Sequence, residues 1–163
     1  MIGQPELYEI LNKLDIKYQY IEHPPLHTIE EAIKHKSWLG VGFCKNLFFR
    51  NHKGNRHYLT VFEHKYQLQI KDLEQLLKQG KLSFASEQRM DKYLKIKPGS
   101  VSPFALINDS ENHVHVFLDK KLLESDKWSF HPNDNRATLI ISKDDFIKFM
   151  DWSGNSYEFI DLY

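Results

Sequence analysis

Lys45 sits where charge is costly. Residues 43 to 50 read FCKNLFFR, a strand-like run of aromatic and apolar side chains around one amine. Side chains alternate across a strand, so Lys45, Leu47 and Phe49 share one face and Asn46, Phe48 and Arg50 the other. Bulky apolar groups on both faces predict a central strand covered on both sides. A lysine there either snorkels to the end of the sheet, which its place near the strand's start makes easy, or points into a polar pocket. In a pocket, a compact ammonium with three donors holds a phosphate or a developing oxyanion. Further donors would come from KPGSVSPF, residues 97 to 104. There Gly99 permits a positive φ, Pro103 stiffens the exit, and the amides of Ser100, Val101 and Ser102 can face a cavity as an anion-binding nest. A plain surface connection has the same composition.

Other residue types invite sharper chemistry and support it less. Cys44 adjoins Lys45, but neighbours on a strand face opposite ways, so the amine would not meet the thiol. His23 and His27 are four apart, yet Pro24 and Pro25 forbid the helix that would align them. His113 and His115 share a strand face with no third ligand near in sequence, so no metal site is expected. Trp38, Trp128 and Trp152 are either core or stacking surfaces for bases. Lys34, Lys36, Arg50, Lys53 and Arg56 are candidates for nucleic-acid phosphates, or simply a solvated edge.

The elements that must position these groups follow from periodicity. Residues 5–14 form an amphipathic helix with Pro5 in its first turn. Residues 18–22 are a strand ended by His23-Pro24-Pro25. Thr28-Ile29-Glu30-Glu31 fits a capping box that opens a second helix. FCKNLFFR and RHYLTVFE flank the turn 52–55 as a hairpin. A helix spans 70–79 and ends at Gly80, LSFA is a short strand, and another helix runs near 86–94. FALIND and HVHVFLD are read as two strands, ATLIIS as a third, 143–151 as a helix capped by Ser142, and YEFIDL as a last strand. Hairpins mixed with strand–helix alternation predict an α+β fold in one domain, residues 1–163. Its sheet is mixed and mostly antiparallel, curled like a barrel, with helices packed around it.

At 163 residues, 41% hydrophobic and 27% charged, the chain is long enough for one real core and reads as globular. No apolar run approaches the ~20 residues that span a bilayer, and the N-terminus has no secretory pattern. A single cysteine excludes an internal disulfide and agrees with the cytoplasm. Net charge is zero, but its distribution is uneven. Residues 1–100 hold 16 Lys+Arg against 11 Asp+Glu, and residues 101–163 hold 6 against 11. A basic face opposite an acidic one would suit a local phosphate contact.

HPPLHTIEEA, KNLFFRNHKG, LSFASE, PGSVSPFALIND and FHPNDNRATL occur in an order that resembles the freestanding prolyl-tRNA editing proteins. These belong to the YbaK/aminoacyl-tRNA-synthetase-associated superfamily, and the likeness runs from about residue 5 to the C-terminus. The resemblance implies a deacylase that cleaves the ester between alanine and the terminal adenosine of tRNA(Pro). It places the family's essential lysine on Lys45 with Asn46 beside it, the glycine-to-proline loop on Gly99 and Pro103, and the histidine of the His-Pro segment on His131. It also puts Thr28 in the part that lines the amino-acid pocket. One position departs: His27 stands where relatives carry phenylalanine. The implied partner is the acceptor end of tRNA(Pro), with a prolyl-tRNA synthetase left open as a second, and no cofactor or metal. Two other readings stay open: a cousin that removes cysteine, and a binding module that has lost turnover.

The logic of such an enzyme is physical. A pocket built for proline cannot exclude smaller alanine, because a missing methylene is worth only ~1–3 kcal/mol. A second site that admits only the smaller residue corrects the error. On this reading Lys45 grips a terminal phosphate or the carbonyl end of the substrate. The amides around Gly99 to Ser102 stabilise the oxyanion. A ribose hydroxyl of the substrate, or His131, takes the proton.

Overall fold

The computed structural model of the chain describes residues 1–25, 42–63 and 69–162. Helix α1, Pro5–Lys13, starts on proline and buries Leu7, Tyr8 and Leu11. Strand β1, Gln19–Glu22, follows. The helix expected from Thr28 lies outside the described residues. Strands β2, Gly42–Asn51, and β3, His57–Glu63, form the expected antiparallel hairpin. Its turn is tied by the Asn51 side chain, which accepts from the amides of Asn55 and Arg56 at 3.1 Å each.

Helix α2, Ile70–Leu77, stops at Lys78, which is left-handed at φ 55° ahead of Gly80. Strand β4, Leu82–Phe84, leads to α3, Glu87–Leu94, whose N-cap Ser86 accepts from the Arg89 amide. FALIND is not a strand. Residues Pro103–Asn108 form a 3-10 helix, with proline at its first position and the Ser102 hydroxyl accepting from the Phe104 amide. Phe104, Ala105 and Leu106 are buried in succession, which a half-covered strand would not permit. Strand β5 is His115–Asp119, and a second 3-10 turn covers Lys120–Glu124. Strand β6, Lys127–Phe130, is an element the sequence pattern did not reveal. Strand β7, Ala137–Ser142, helix α4, Lys143–Ser153, and β8, Tyr157–Ile160, complete the chain.

The sheet runs β1-β7-β6-β2-β3-β5-β8, with β4 also on β2. Four pairings are antiparallel and three, β2/β6, β3/β5 and β5/β8, are parallel. Among the described residues β1 pairs only with β7 and β8 only with β5, so the sheet is open and not closed as a barrel. Strand β2 joins its halves, meeting β6 at residues 42–43, β3 at 44–50 and β4 at 49–51.

Phe48 and Phe49 are 1% and 0% exposed although they point to opposite faces. Phe48 belongs to the main core with Leu59, Val61, Phe104, Phe130 and Phe146, and Phe49 to a smaller core with Tyr58, Phe62, Leu73 and Leu77. β2 is therefore central and covered twice, as its pattern required. Among the described residues no helix is long and apolar enough to cross a membrane.

Candidate active site

Strand β2 places Lys45 opposite Phe62 of β3, on the face of Leu47 and Phe49. The residue is half-buried. Among the described residues its amine has no hydrogen-bond or ion-pair partner, so its three donors are uncommitted. The parallel register pairs position 43 with Ser129. Lys45 lies two residues beyond 43 and His131 two beyond 129, so both leave that ladder at the same end and with the same facing. Across β6 and β7, Ser129 pairs with Ile140, which puts Thr138 on this face as well.

His131 is fixed in one tautomer. Its Nδ1 donates to the Ala137 carbonyl at 2.8 Å, leaving Nε2 with a lone pair. Burial pushes its pKa down, more than the Ala137 hydrogen bond raises it. It is therefore a neutral imidazole at neutral pH, with one nitrogen able to accept a proton. His23 stands 6.0 Å away, ring centre to ring centre and edge-on. His23 is held by the Pro24 carbonyl at 2.9 Å and the Thr138 hydroxyl at 2.8 Å. The HPP segment thus buttresses the His-Pro segment across β7.

The loop before the first 3-10 helix reaches the same neighbourhood. Lys97-Pro98-Gly99-Ser100 is a turn closed by the Ser100 amide on the Lys97 carbonyl at 3.1 Å, with Gly99 at φ +86°. Proline then glycine is the order such a turn demands. A Cβ on Gly99 would lie 3.5 Å from the Asn135 amide nitrogen, so the bend abuts the loop that carries His131. Asn133 of that loop donates to the Phe104 carbonyl at 3.4 Å.

The expected nest is thereby narrowed. The Ser100 amide is consumed by the turn, and the Ser102 hydroxyl caps the 3-10 helix. Ser102 and Pro103 are buried and Val101 packs on the main core. Ser102 is 0% exposed, so its amide meets no ligand, and of the three expected donors Val101 alone is half-buried and not fully buried.

Other expected residues are placed apart. Asn46 faces the main core, opposite to Lys45, and its Oδ1 is buried without a partner among the described residues. Arg50, Lys53 and Arg56 gather at the hairpin turn, some five residues or more along β2 from Lys45, which is about 16 Å at ~3.3 Å per residue. Thr28, Lys34, Lys36 and Trp38 lie outside the described residues. Burial raises the Cys44 thiol pKa, and the Glu63 and Asp119 carboxylates raise it further, which removes it as a nucleophile at neutral pH. Trp128 is fully buried, its indole donating to the Leu122 and Ser125 carbonyls, so it stacks on no base. His113 bonds to His57 at 2.9 Å and His115 to Ser156 at 2.6 Å. Among the described residues no group of three His, Cys, Asp or Glu is arranged to hold a metal ion. His23, Thr138 and Asn135 are the neighbours that sequence reasoning missed. Only the register of β1, β6 and β7 brings them in, although the proline pair after His23 marked that residue as structurally fixed.

Comparison with known proteins gives the class of the chain, an aminoacyl-tRNA editing domain. The aminoacyl-tRNA editing domain family matches residues 23–149, and the chain belongs to that family. It is 42% identical over 152 residues to the prolyl-tRNA editing protein ProX of Acetoanaerobium sticklandii, covering 93% of each chain. It is 35% identical to the prolyl-tRNA synthetase associated domain-containing protein 1 of Mus musculus, over 92% of this chain and 90% of that one. Two solved structures share the fold. One is of a hypothetical protein, with TM-score 0.72, 17% identity and coverage of 95% of this chain and 98% of the other. The second, described as a candidate trans-editing enzyme for prolyl tRNA synthetase, has TM-score 0.69, 18% identity and coverage of 97% and 98%.

Proposed function

We propose that this chain is a trans-editing deacylase that hydrolyses the ester of Ala-tRNA(Pro) in the cytoplasm. The observation that supports the reading is the register of β2 on β6, from which positions 45 and 131 follow on one face, with the Gly99 bend against the His131 loop. The likeness to a prolyl-tRNA editing protein along nearly the whole chain supports the same substrate class.

The Lys45 ammonium binds the anionic end of the substrate and orients the acyl carbonyl. Water adds to that carbonyl, and the Val101 amide stabilises the oxyanion that forms. The water's proton passes to His131 Nε2, or to a ribose hydroxyl of the substrate. The C–O bond to the ribose breaks and the ribose oxygen takes up the proton. Alanine and free tRNA leave. No step requires a metal or a cofactor.

The test is release of amino acid from tRNA(Pro) charged separately with alanine, cysteine or proline. Rapid release of alanine with slow release of proline is the expected result. Preferential release of cysteine would reassign the pocket, and no release from any of them would remove the enzyme reading.

A further inference from the structure

Two hollows with four lining residues in common flank the hairpin turn, at the end of β2 remote from Lys45. The first, about 500 Å³, is lined by Lys53, Arg56, Lys78 and Lys81 together with Asn51 and Tyr58. The second, about 440 Å³, shares Asn55, Arg56, Tyr58 and Gln79 with the first and continues to His113 and His115. Among the described residues no aspartate or glutamate lines either one. All four lysines and arginines are exposed, and none is in an ion pair among the described residues. In a chain of zero net charge, this is where part of the surplus of basic residues before residue 100 collects.

The trough is also built to stay in place. Asn51 ties the turn from inside, and Arg89 donates to the Gly54 carbonyl at 3.0 Å while contacting His57 Nε2 at 3.0 Å. Lys78 stands on a left-handed residue that turns the chain back toward the hairpin, and Gln79 accepts from the Tyr58 hydroxyl at 3.0 Å. Lys53, Arg56, Lys78 and Lys81 thus reach one trough from two rigid supports.

We propose that this trough docks the phosphate backbone of a base-paired RNA stem, with Lys78 and Lys81 as contact residues alongside Lys53 and Arg56. The inference rests on the editing reading above and assigns the part of the substrate that lies away from the ester. Exposed cations spaced around an open trough suit a polyanion. Each alone is worth little, but several together release condensed counterions. A duplex of RNA is met mainly through its shape and its phosphates, which is what this lining offers. Six residues of β2 separate Lys45 from Asn51, about 20 Å at ~3.3 Å each. The trough therefore takes the stem while the unpaired terminus runs to Lys45.

The experiment measures binding of an uncharged RNA hairpin with the acceptor-stem sequence of tRNA(Pro), by fluorescence anisotropy across a salt series. The double variant Lys78→Glu, Lys81→Glu is expected to bind at least tenfold more weakly at 0.1 M salt. The milder Lys78→Gln, Lys81→Gln should lower the slope of log K against log salt by about 2, one unit per lost phosphate contact. Lys13→Glu on α1 should stay within twofold of the parent. Unchanged affinity and slope in the glutamine variant would overturn the inference, as would binding to phosphatidylserine vesicles that the hairpin fails to displace. The two readings fail separately. Hairpin binding that depends on Lys78 and Lys81, without deacylation by the parent protein, would sink the editing reading alone. Deacylation with an unchanged KM in the double variant would sink the trough alone.

Discussion

At its Lys45 end β2 carries one half-buried amine, flanked by Leu47, Phe49 and Phe62 and uncommitted to any partner among the described residues. At its Asn51 end it feeds a turn whose cations are exposed and numerous. The contrast separates two uses of positive charge. A charge held among apolar groups acts through a low local dielectric and a fixed position, so a single one suffices for chemistry. Charges in water are screened and act by number. The histidines divide in the same way. Among the described residues His131 keeps a lone pair at Nε2, whereas His57 spends both nitrogens, on His113 and Arg89.

The largest effect expected from this contrast is at Lys45. Lys45→Ala should lower kcat/KM for Ala-tRNA(Pro) by ~10²–10³, the loss of one well-placed donor, and leave the melting temperature within a few degrees. A variant that unfolds, or one that keeps its rate, would erase the distinction between the two ends. His131→Ala should cost ~10²-fold if its Nε2 takes the proton. Because burial lowers the pKa of His131, the rate of the parent should hold as pH falls through 6.5, the ordinary histidine value, and decline only below it. A rate that halves at pH 6.5 would mean that another group limits turnover.

The contrast was half legible in the sequence. Alternation about Lys45 announced a doubly covered strand, and KPGS announced a glycine turn, because both signals are local. FALIND misled because its apolar run has no period that distinguishes a strand from a buried 3-10 turn, and Pro103 with Ser102 decided the matter. KWSF stayed hidden because four residues carry too little pattern, and its Trp128 is spent on carbonyls of the preceding turn. That positions 45 and 131 share a facing follows from a parallel ladder only two residues long, between segments 86 apart in the chain. No spacing rule anticipates such a register. Lys78 and Lys81 escaped notice for a similar reason, since they meet the hairpin turn only through the packing of α2 and β4.

At the turn end the expected effect is on stability. His57 is held down to about 4, chiefly by burial and then by His113, Arg89, Lys92 and Arg50. The unfolded chain protonates this group first as pH falls, so the folded state loses its advantage between about 6.5 and 4 and keeps it in full above 6.5. The loss should be roughly 1–3 kcal/mol. Melting curves at pH 7, 5.5 and 4.5 should show a steep decline in the parent and a shallower one in His57→Phe. Equal slopes would show that other groups govern acid unfolding.

The smallest effect lies between the two ends, on β3. Thr60 faces the same side as Leu47 and is fully buried, yet its hydroxyl has no hydrogen-bond partner among the described residues. A buried hydroxyl without a partner carries its desolvation cost uncompensated, ~1–3 kcal/mol. Valine keeps the β-branch and nearly the same shape while removing that cost, so Thr60→Val should stabilise the fold by about 1 kcal/mol. Denaturant melts would report this as a higher midpoint at unchanged m-value. A loss of stability would mean that the hydroxyl is satisfied in solution. If the gain comes with unchanged deacylation, the middle of the hairpin serves as a rigid spacer between the two charged ends.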